Sequence, residues 1–269
     1  MASILNNVSA LSAQRNLANS QSGLNSTINR LSTGLRINQA SDDAAGLQIS
    51  NNLRADIRIL AQAERNANDA IGRLRVIDAT SEEATNLLTR AAELAEQAAS
   101  GTTSSAGRAA LNAEFTEIKS ALDALDSDTR FDGTSVFGTA FTARVGELST
   151  QTVTLSSIDV DSANLGLATT SNLLTSAAAS TALASITTAI ETVSADRGTV
   201  GAKSQRLNTI INSLGISREN ITAAESQIRD ADVASEVVNL TKFQILSQSG
   251  VSALAQANQS AQSVLSLLG

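Results

Sequence analysis

Along most of this chain, apolar residues return every three or four positions. That spacing keeps one stripe of a helix facing a partner. From Leu240 the alternation is strict through Phe243, Ser247, Gly250, Leu254, Ala257, Ala261, Val264 and Leu268, seven apolar residues and two small ones. Near the N-terminus Ala10, Leu17, Leu24 and Leu31 fall seven apart, with Gln14, Gln21 and Ile28 expected between them on the seam. In the middle the stripe runs through Leu53, Ile57, Leu60, Ala67, Ile71 and Leu74, with one flaw at Glu64, which either weakens the seam locally or sits at its wet edge. It slips a step at Ile77 and continues through Ala84, Leu88, Ala91, Ala95 and Ala98. A shorter helix follows on Leu111, Phe115, Ile118, Leu122 and Leu125, and a second long one on Leu183, Ile186, Ile190, Val193, Val200, Leu207, Ile211, Leu214, Ile221 and Ile228.

Local signals place the breaks. Gly34 suits a left-handed cap on the first helix, and Ser41 followed by Asp42 and Asp43 suits the start of the next. Gly101 closes that helix, and Ser104 or Ser105 opens another. Residues 129–177 break the helical rhythm with three of the five Phe, an Asp132-Gly133 turn and the period-two run TVTLSSIDV at 152–160. This predicts short strands and turns, with a Ser/Thr/Ala-rich linker or surface loop up to about 180. The expected fold is mainly α: a long antiparallel helical bundle or coiled coil, with a short β-hairpin/loop segment and paired termini. Its parts are 1–40 and 235–269 as two halves of one coiled coil, and 41–234 as a helical bundle carrying the β/loop segment at about 129–181.

Charge follows the same division. Residues 1–41 carry only Arg15, Arg30 and Arg36, nothing after Lys242 is charged, and every acid lies between Asp42 and Glu236. The neutral C-terminal stretch from Phe243 is too rich in Gln, Asn and Ser for a membrane span and too apolar for water, so it needs a protein partner. With a net charge of −7, three Lys and few aromatics, the chain is a poor nucleic-acid binder. No uninterrupted apolar run is long enough for a bilayer, and no Sec-type signal peptide is visible at the start. Cys, His, Trp, Tyr and Pro are all missing. Disulfides, thiol nucleophiles, imidazole ligands and Ser-His-Asp chemistry are therefore excluded. These absences suit a chain threaded through a narrow channel, since no crosslink or slow X-Pro isomerisation intervenes.

No motif adds catalysis or a cofactor. Gly198-Thr-Val-Gly201-Ala-Lys203-Ser204 has the wrong spacing for a phosphate loop and sits inside a helical repeat. Asp126, Asp128 and Asp132 fail as a calcium loop, because Arg130 occupies a ligand position. The glycosylation-type triplets at Asn7, Asn25, Asn220 and Asn239 lie in helical repeats. Glu82, Glu83, Glu93 and Glu96 read as a solvated helix face.

LSAQRNLANSQSGLNSTINRLSTGLRINQASDDAAGLQIS (11–50) resembles the N-terminal signature of bacterial flagellins, and RNANDAIG (65–72) resembles the next motif of that family. RLNTIINSLGISRENITAAESQIRDADVASEVVNLTKFQILSQSGVSALAQANQSAQSVLSLL (206–268) is similar to the family's C-terminal end. The resemblance covers about 1–130 and 183–269, and leaves no room for the outer domains many members insert.

It implies an extracellular structural subunit of the bacterial flagellum that self-assembles into a helical filament for motility, without enzymatic activity. A hook–filament junction protein, or a secreted adhesin or signalling ligand, are the alternatives. By resemblance the inner-tube subunit interface would involve Leu17, Leu24, Ile28, Leu31, Leu254, Ala257, Ala261, Val264 and Leu268. An outer contact or receptor surface would involve Arg90, Glu93 and Leu94. Implied partners are further copies of the chain, an export chaperone with the type III export apparatus, and the flagellar cap and hook-associated proteins. The sequence departs from the family pattern twice. Ala92 stands where an Arg is common in the segment some flagellins present to Toll-like receptor 5, which argues against recognition. Gln259-Ser260-Ala261-Gln262 replaces a region that often holds Pro, which implies a more continuous last helix. The ends, roughly 1–35 and 240–269, are expected to order only on assembly.

Overall fold

The computed structural model describes residues 7–167 and 171–266, with side chains up to Ser260. Five helices follow one another: α1 (Val8–Thr33), α2 (Ala44–Ala99), α3 (Ser105–Asp128), α4 (Ser176–Arg229) and α5 (Val233–Ser266). Between α3 and α4 lie four short strands, β1 (Arg130–Phe131), β2 (Thr134–Ser135), β3 (Phe141–Arg144) and β4 (Thr152–Leu155). The chain divides into two compact units, 1–55 with 220–269, and 56–219.

Residues 56–219 have a continuous core. The α2 stripe from Ala67 to Ala98, Phe115, Ile118 and Leu122 of α3, and Ala179 to Leu207 of α4 form one buried cluster. Small residues at 84, 91, 95 and 98 of α2 are fully buried, which lets neighbouring backbones approach closely. Ser81, 1% exposed, takes a further buried seam position. Glu64 sits at the wet edge of the stripe: its carboxylate accepts from the Arg218 guanidinium at 2.6 Å in an ion pair between α2 and α4, and Leu60 and Ala63 before it are still buried. Arg197 extends the same principle, pairing with Asp78 at 2.9 Å and Glu82 at 3.2 Å.

The β/loop segment is an integral wall of this core. β1 and β2 form a hairpin through Asp132 (φ 49°) and Gly133 (φ 73°), the paired left-handed conformation that a two-residue hairpin turn requires. β3 and β4 pair antiparallel with Phe141 opposite Leu155 and Arg144 opposite Thr152. Only 152–155 of the period-two run is strand, yet Ile158 and Val160 beyond it are buried like Val153 and Leu155. The reason is side-chain anchoring: Asp126 accepts from the Val160 N–H at 3.0 Å, and Asp123 from the Ser162 N–H at 2.8 Å. The expected linker up to about 180 is shorter, because Thr175 accepts from the Ala178 N–H and α4 begins at Ser176.

Helix boundaries follow local chemistry. Gly34 adopts φ 71° and donates its N–H to the Arg30 carbonyl, as a left-handed cap does. Ser104 caps α3 by accepting from Gly107. The cap of α2 is Asp43, which accepts from the Gly46 N–H at 2.8 Å, and not Ser41. Asp42 instead folds the preceding turn by accepting from the N–H groups of Asn38 and Gln39.

Candidate functional site

The feature with no purely internal explanation is the pair α1 and α5. Asn7 starts α1 by accepting from the Ala10 N–H at 3.0 Å. Asp232 starts α5 by accepting from Ala234 and Ser235, and Glu236 stands at the positive end of that helix. The two helices lie antiparallel. The Asn7 side chain donates to the Ala257 carbonyl at 2.9 Å, Ser247 meets Gln21 at 3.3 Å, and Arg30 meets Glu236 at 3.3 Å. Close packing marks the centre, where a Cβ added at Gly250 would sit 3.5 Å from that of Leu17. Beyond the helices the chain crosses as a short two-stranded bridge. Arg36 N–H donates to the Arg229 carbonyl at 2.7 Å, and Ala231 N–H to the Gly34 carbonyl at 2.9 Å.

On α5 Leu240, Phe243, Ser247, Gly250, Leu254 and Ala257, the seam read from sequence, are half-buried, as is Asn239 beside Leu240. On α1 Ala10, Leu17, Leu24 and Leu31 face the partner as expected. The intervening positions, however, are Ala13, Ser20 and Thr27, while Gln14, Gln21 and Ile28 are exposed. Seven residues can be divided as three then four or as four then three, and the side opposed by α5 is the one carrying small residues. Ile28, 47% exposed, thus lies off the seam. Ala261 and Val264 belong to α5 but their side chains are outside the described residues, as is Leu268 altogether. No proline interrupts α5, which runs unbroken through 259–262.

What the pair leaves bare is more informative. Val238 is 68% exposed and Ile245 60%. Ile245 lies two residues, about 200°, from both Phe243 and Ser247, and so points directly away from the seam. Leu246, Val233, Val237 and Val251 flank it, also exposed, and Val8 and Leu11 are bare on α1. Beside the seam runs an open groove of about 500 Å³ lined by Ser9, Ser12, Ala13, Asn16, Ser20, Leu246, Ser249, Gly250 and Ala253. Heptad reading missed these outer residues, because they fall between seam positions; their signal was apolar residues on every face of one helix.

The second candidate surface, on α2, differs from expectation. Arg90 is exposed, with its guanidinium bound to Glu93 at 2.9 Å and Glu114 at 2.8 Å. These carboxylates raise its already high pKa. Leu94 is only 1% exposed and belongs to the core, so it offers no surface. Among the described residues no group of acidic side chains is arranged to hold a metal ion, and no helix is long and apolar enough to cross a membrane.

An antiparallel pair of terminal helices, apolar outside its own seam, together with a separately cored helical bundle, defines a subunit built for assembly. Residues 4–142 match the bacterial flagellin N-terminal helical region and 183–268 the bacterial flagellin C-terminal helical region. The chain is 36% identical to the flagellar filament 33 kDa core protein of Treponema phagedenis, spanning 98% of this chain and 99% of that one. It is 36% identical to a flagellin of Halalkalibacterium halodurans over the same shares, and 34% identical to a flagellin of Bacillus subtilis. The crystal structure of Bacillus cereus flagellin superposes with a TM-score of 0.51 at 30% identity, covering 56% of this chain and 88% of that one. A Vibrio parahaemolyticus protein assigned as hook-associated shares the fold alone, with a TM-score of 0.57 at 12% identity. The chain belongs to the bacterial flagellin family. It is a structural subunit of the extracellular flagellar filament, in a short form without inserted outer domains.

Proposed function

We propose that the filament contacts of this subunit form on the faces of α1 and α5 that its own chain leaves bare. The carrying observation is the ring of exposed Val238, Ile245, Leu246 and Val251 around α5 outside its seam. Burying one such side chain contributes roughly 1.5–3 kcal/mol. Several covered together add to the α1–α5 seam and to the helices' own hydrogen bonds in offsetting the cost of ordering the two helices. Leu17, Leu24, Leu31, Leu254 and Ala257 hold α1 against α5. Ile28 faces outward toward a neighbour, and in the sequence Ala261, Val264 and Leu268 keep the same spacing. Contacts of this head-to-tail kind, when they do not close on themselves, build an open helical filament.

Order in the ends is then tied to assembly. Hydrogen exchange of dilute free chain is expected to show fast exchange over roughly 1–35 and 240–269, and slow exchange there once filaments form; full protection in the free chain contradicts the reading. Leu254→Asp places a charge in the seam, and electron microscopy is expected to show no filaments while residues 56–219 stay folded. Normal filaments of this variant refute it.

The remaining partners follow from the same surface. An export chaperone that covers α5 before assembly would keep its bare faces from aggregating, and the type III apparatus, cap and hook-associated proteins would handle the chain in turn. The chain acts as scaffold only, without catalysis. Arg90 and Glu93 offer an outer contact for neighbouring subunits, while Ala92 argues against Toll-like receptor 5.

A further inference from the structure

A seam of Leu, Ala, Ser and Gly repeating every seven residues gives α5 several similar ways to lie along α1, each one heptad, about 10.5 Å, apart. The Leu35–Asp230 bridge restrains the adjoining ends of the two helices, and within the helices two features do not repeat. Phe243 is the only aromatic residue in either helix, and its ring lies on Gly23, where an added Cβ would stand 2.5 Å from Cε1. One heptad to either side, α1 offers Asn16 or Arg30 instead, whose side chains occupy the space the ring needs. Glu236 is the only acid in either helix. It is 8% exposed and bound to Arg30, and a heptad shift sets it against Gly23 or Ile37. Its second carboxylate oxygen and the Arg30 Nε are buried without a hydrogen-bond partner, so the single 3.3 Å contact is the bond the pair makes. Glu236 is the buried member and Arg30 is one-third exposed; losing Arg30 leaves the buried carboxylate uncompensated, and isolated polar contacts of this kind select register in coiled coils.

We propose that the Gly23–Phe243 contact and the Arg30–Glu236 pair are the register keys of this subunit. They select one alignment of α1 with α5. By doing so they decide which groove and which bare apolar faces the subunit offers its neighbours; this last consequence rests on the assembly reading above. Along the helices the seam supplies adhesion and these four residues supply specificity, beside the restraint of the bridge between 34–36 and 229–231.

The chain has no cysteine, so an introduced pair reports alone. Leu17→Cys with Gly250→Cys matches the observed register, since the Cβ positions lie 3.5 Å apart, within disulfide reach. Leu17→Cys with Ala257→Cys reports a shift of one heptad, and Ala10→Cys with Gly250→Cys the opposite shift. Each is assembled as a minority with cysteine-free subunits, oxidised, and read on a non-reducing gel as an intrachain disulfide. Otherwise unaltered chains are expected to link at 17 and 250 alone. Adding Gly23→Leu and Glu236→Ala is expected to lower that yield at least about tenfold and to raise a shifted pair. Exchanging the charges, Arg30→Glu with Glu236→Arg, is expected to restore part of the observed-register yield where either single change loses it, the rest being lost because each charge then opposes its helix dipole. The same holds for incorporation into filaments: a defect of the single variants that the exchange reverses at least in part supports the keys, and one it does not reverse at all overturns them. An undiminished 17–250 yield with both keys removed also overturns the proposal. If the cysteine-free protein forms no filament, the assembly reading fails instead; if its filaments link shifted pairs as readily as 17–250, the register keys fail while the assembly reading stands.

Discussion

The two compact units use the same three/four apolar spacing and reach opposite results. Within 56–219, three helices and two hairpins surround one another, and side chains from Leu60 to Leu214 are buried. Within 1–55 and 220–269, Ile37 is the only buried apolar residue described, and it lies in the connection after α1 rather than in a helix. Two helices alone can cover only the stripe each turns to the other. The contrast shows that heptad spacing specifies a facing stripe, while the number of layers decides whether that stripe becomes a core.

The sharpest way to break this comparison is to charge the bare face. Val238→Asp with Ile245→Asp is expected to abolish filaments in electron microscopy and to leave the melting of the free chain unchanged; a lowered melting temperature would mean these residues already serve an internal core. The converse change lies inside the other unit. Phe115→Ala is expected to cost about 3–5 kcal/mol, read as earlier denaturant unfolding of the free chain. A smaller effect tests the seam's polar edge. Arg218→Met removes a partly exposed pair and is expected to cost up to about 1 kcal/mol, whereas Glu64→Leu together with Arg218→Met recovers part of it by extending the apolar stripe.

The smallest effect concerns pH. Burial is the main cause that raises the Asp126 pKa above the ordinary 3.8, opposed by the Val160 N–H and reinforced by Asp161, Asp159 and Asp123. Asp196 on α4 is raised in the same way, by burial and then by Asp159. A carboxyl raised in the fold binds its proton more tightly there than in the unfolded chain. Its favourable contribution is therefore present below pH about 3.8, and is lost as pH climbs through the raised value. Asp126→Asn keeps an acceptor for Val160 and is expected to raise the melting temperature of 56–219 at neutral pH but not in acid. A gain that persists unchanged at low pH would show that titration is not its cause.

Particular residues show how far the sequence could be read. The α5 stripe and the stripe of α2 were legible because they are long and periodic. The α1 seam was legible only in half, since Gln14 and Ala13 both complete a heptad and only the position of α5 chooses between them. Leu94 was misplaced on the surface, because a helix buried on a wide face hides residues that a short motif shows as outward. The packing of Ile158 and Val160 was hidden because it depends on aspartates more than thirty residues away in sequence.

By itself, the sequence determined that this protein is helical, that its ends seek each other, and that it has no cysteine or histidine chemistry. Those properties are local: spacing, caps and the presence or absence of a residue type. Tertiary structure alone decided which apolar residues are spent inside the chain and which remain for its neighbours. Exposure depends on how many layers surround a side chain, and no single helix carries that information.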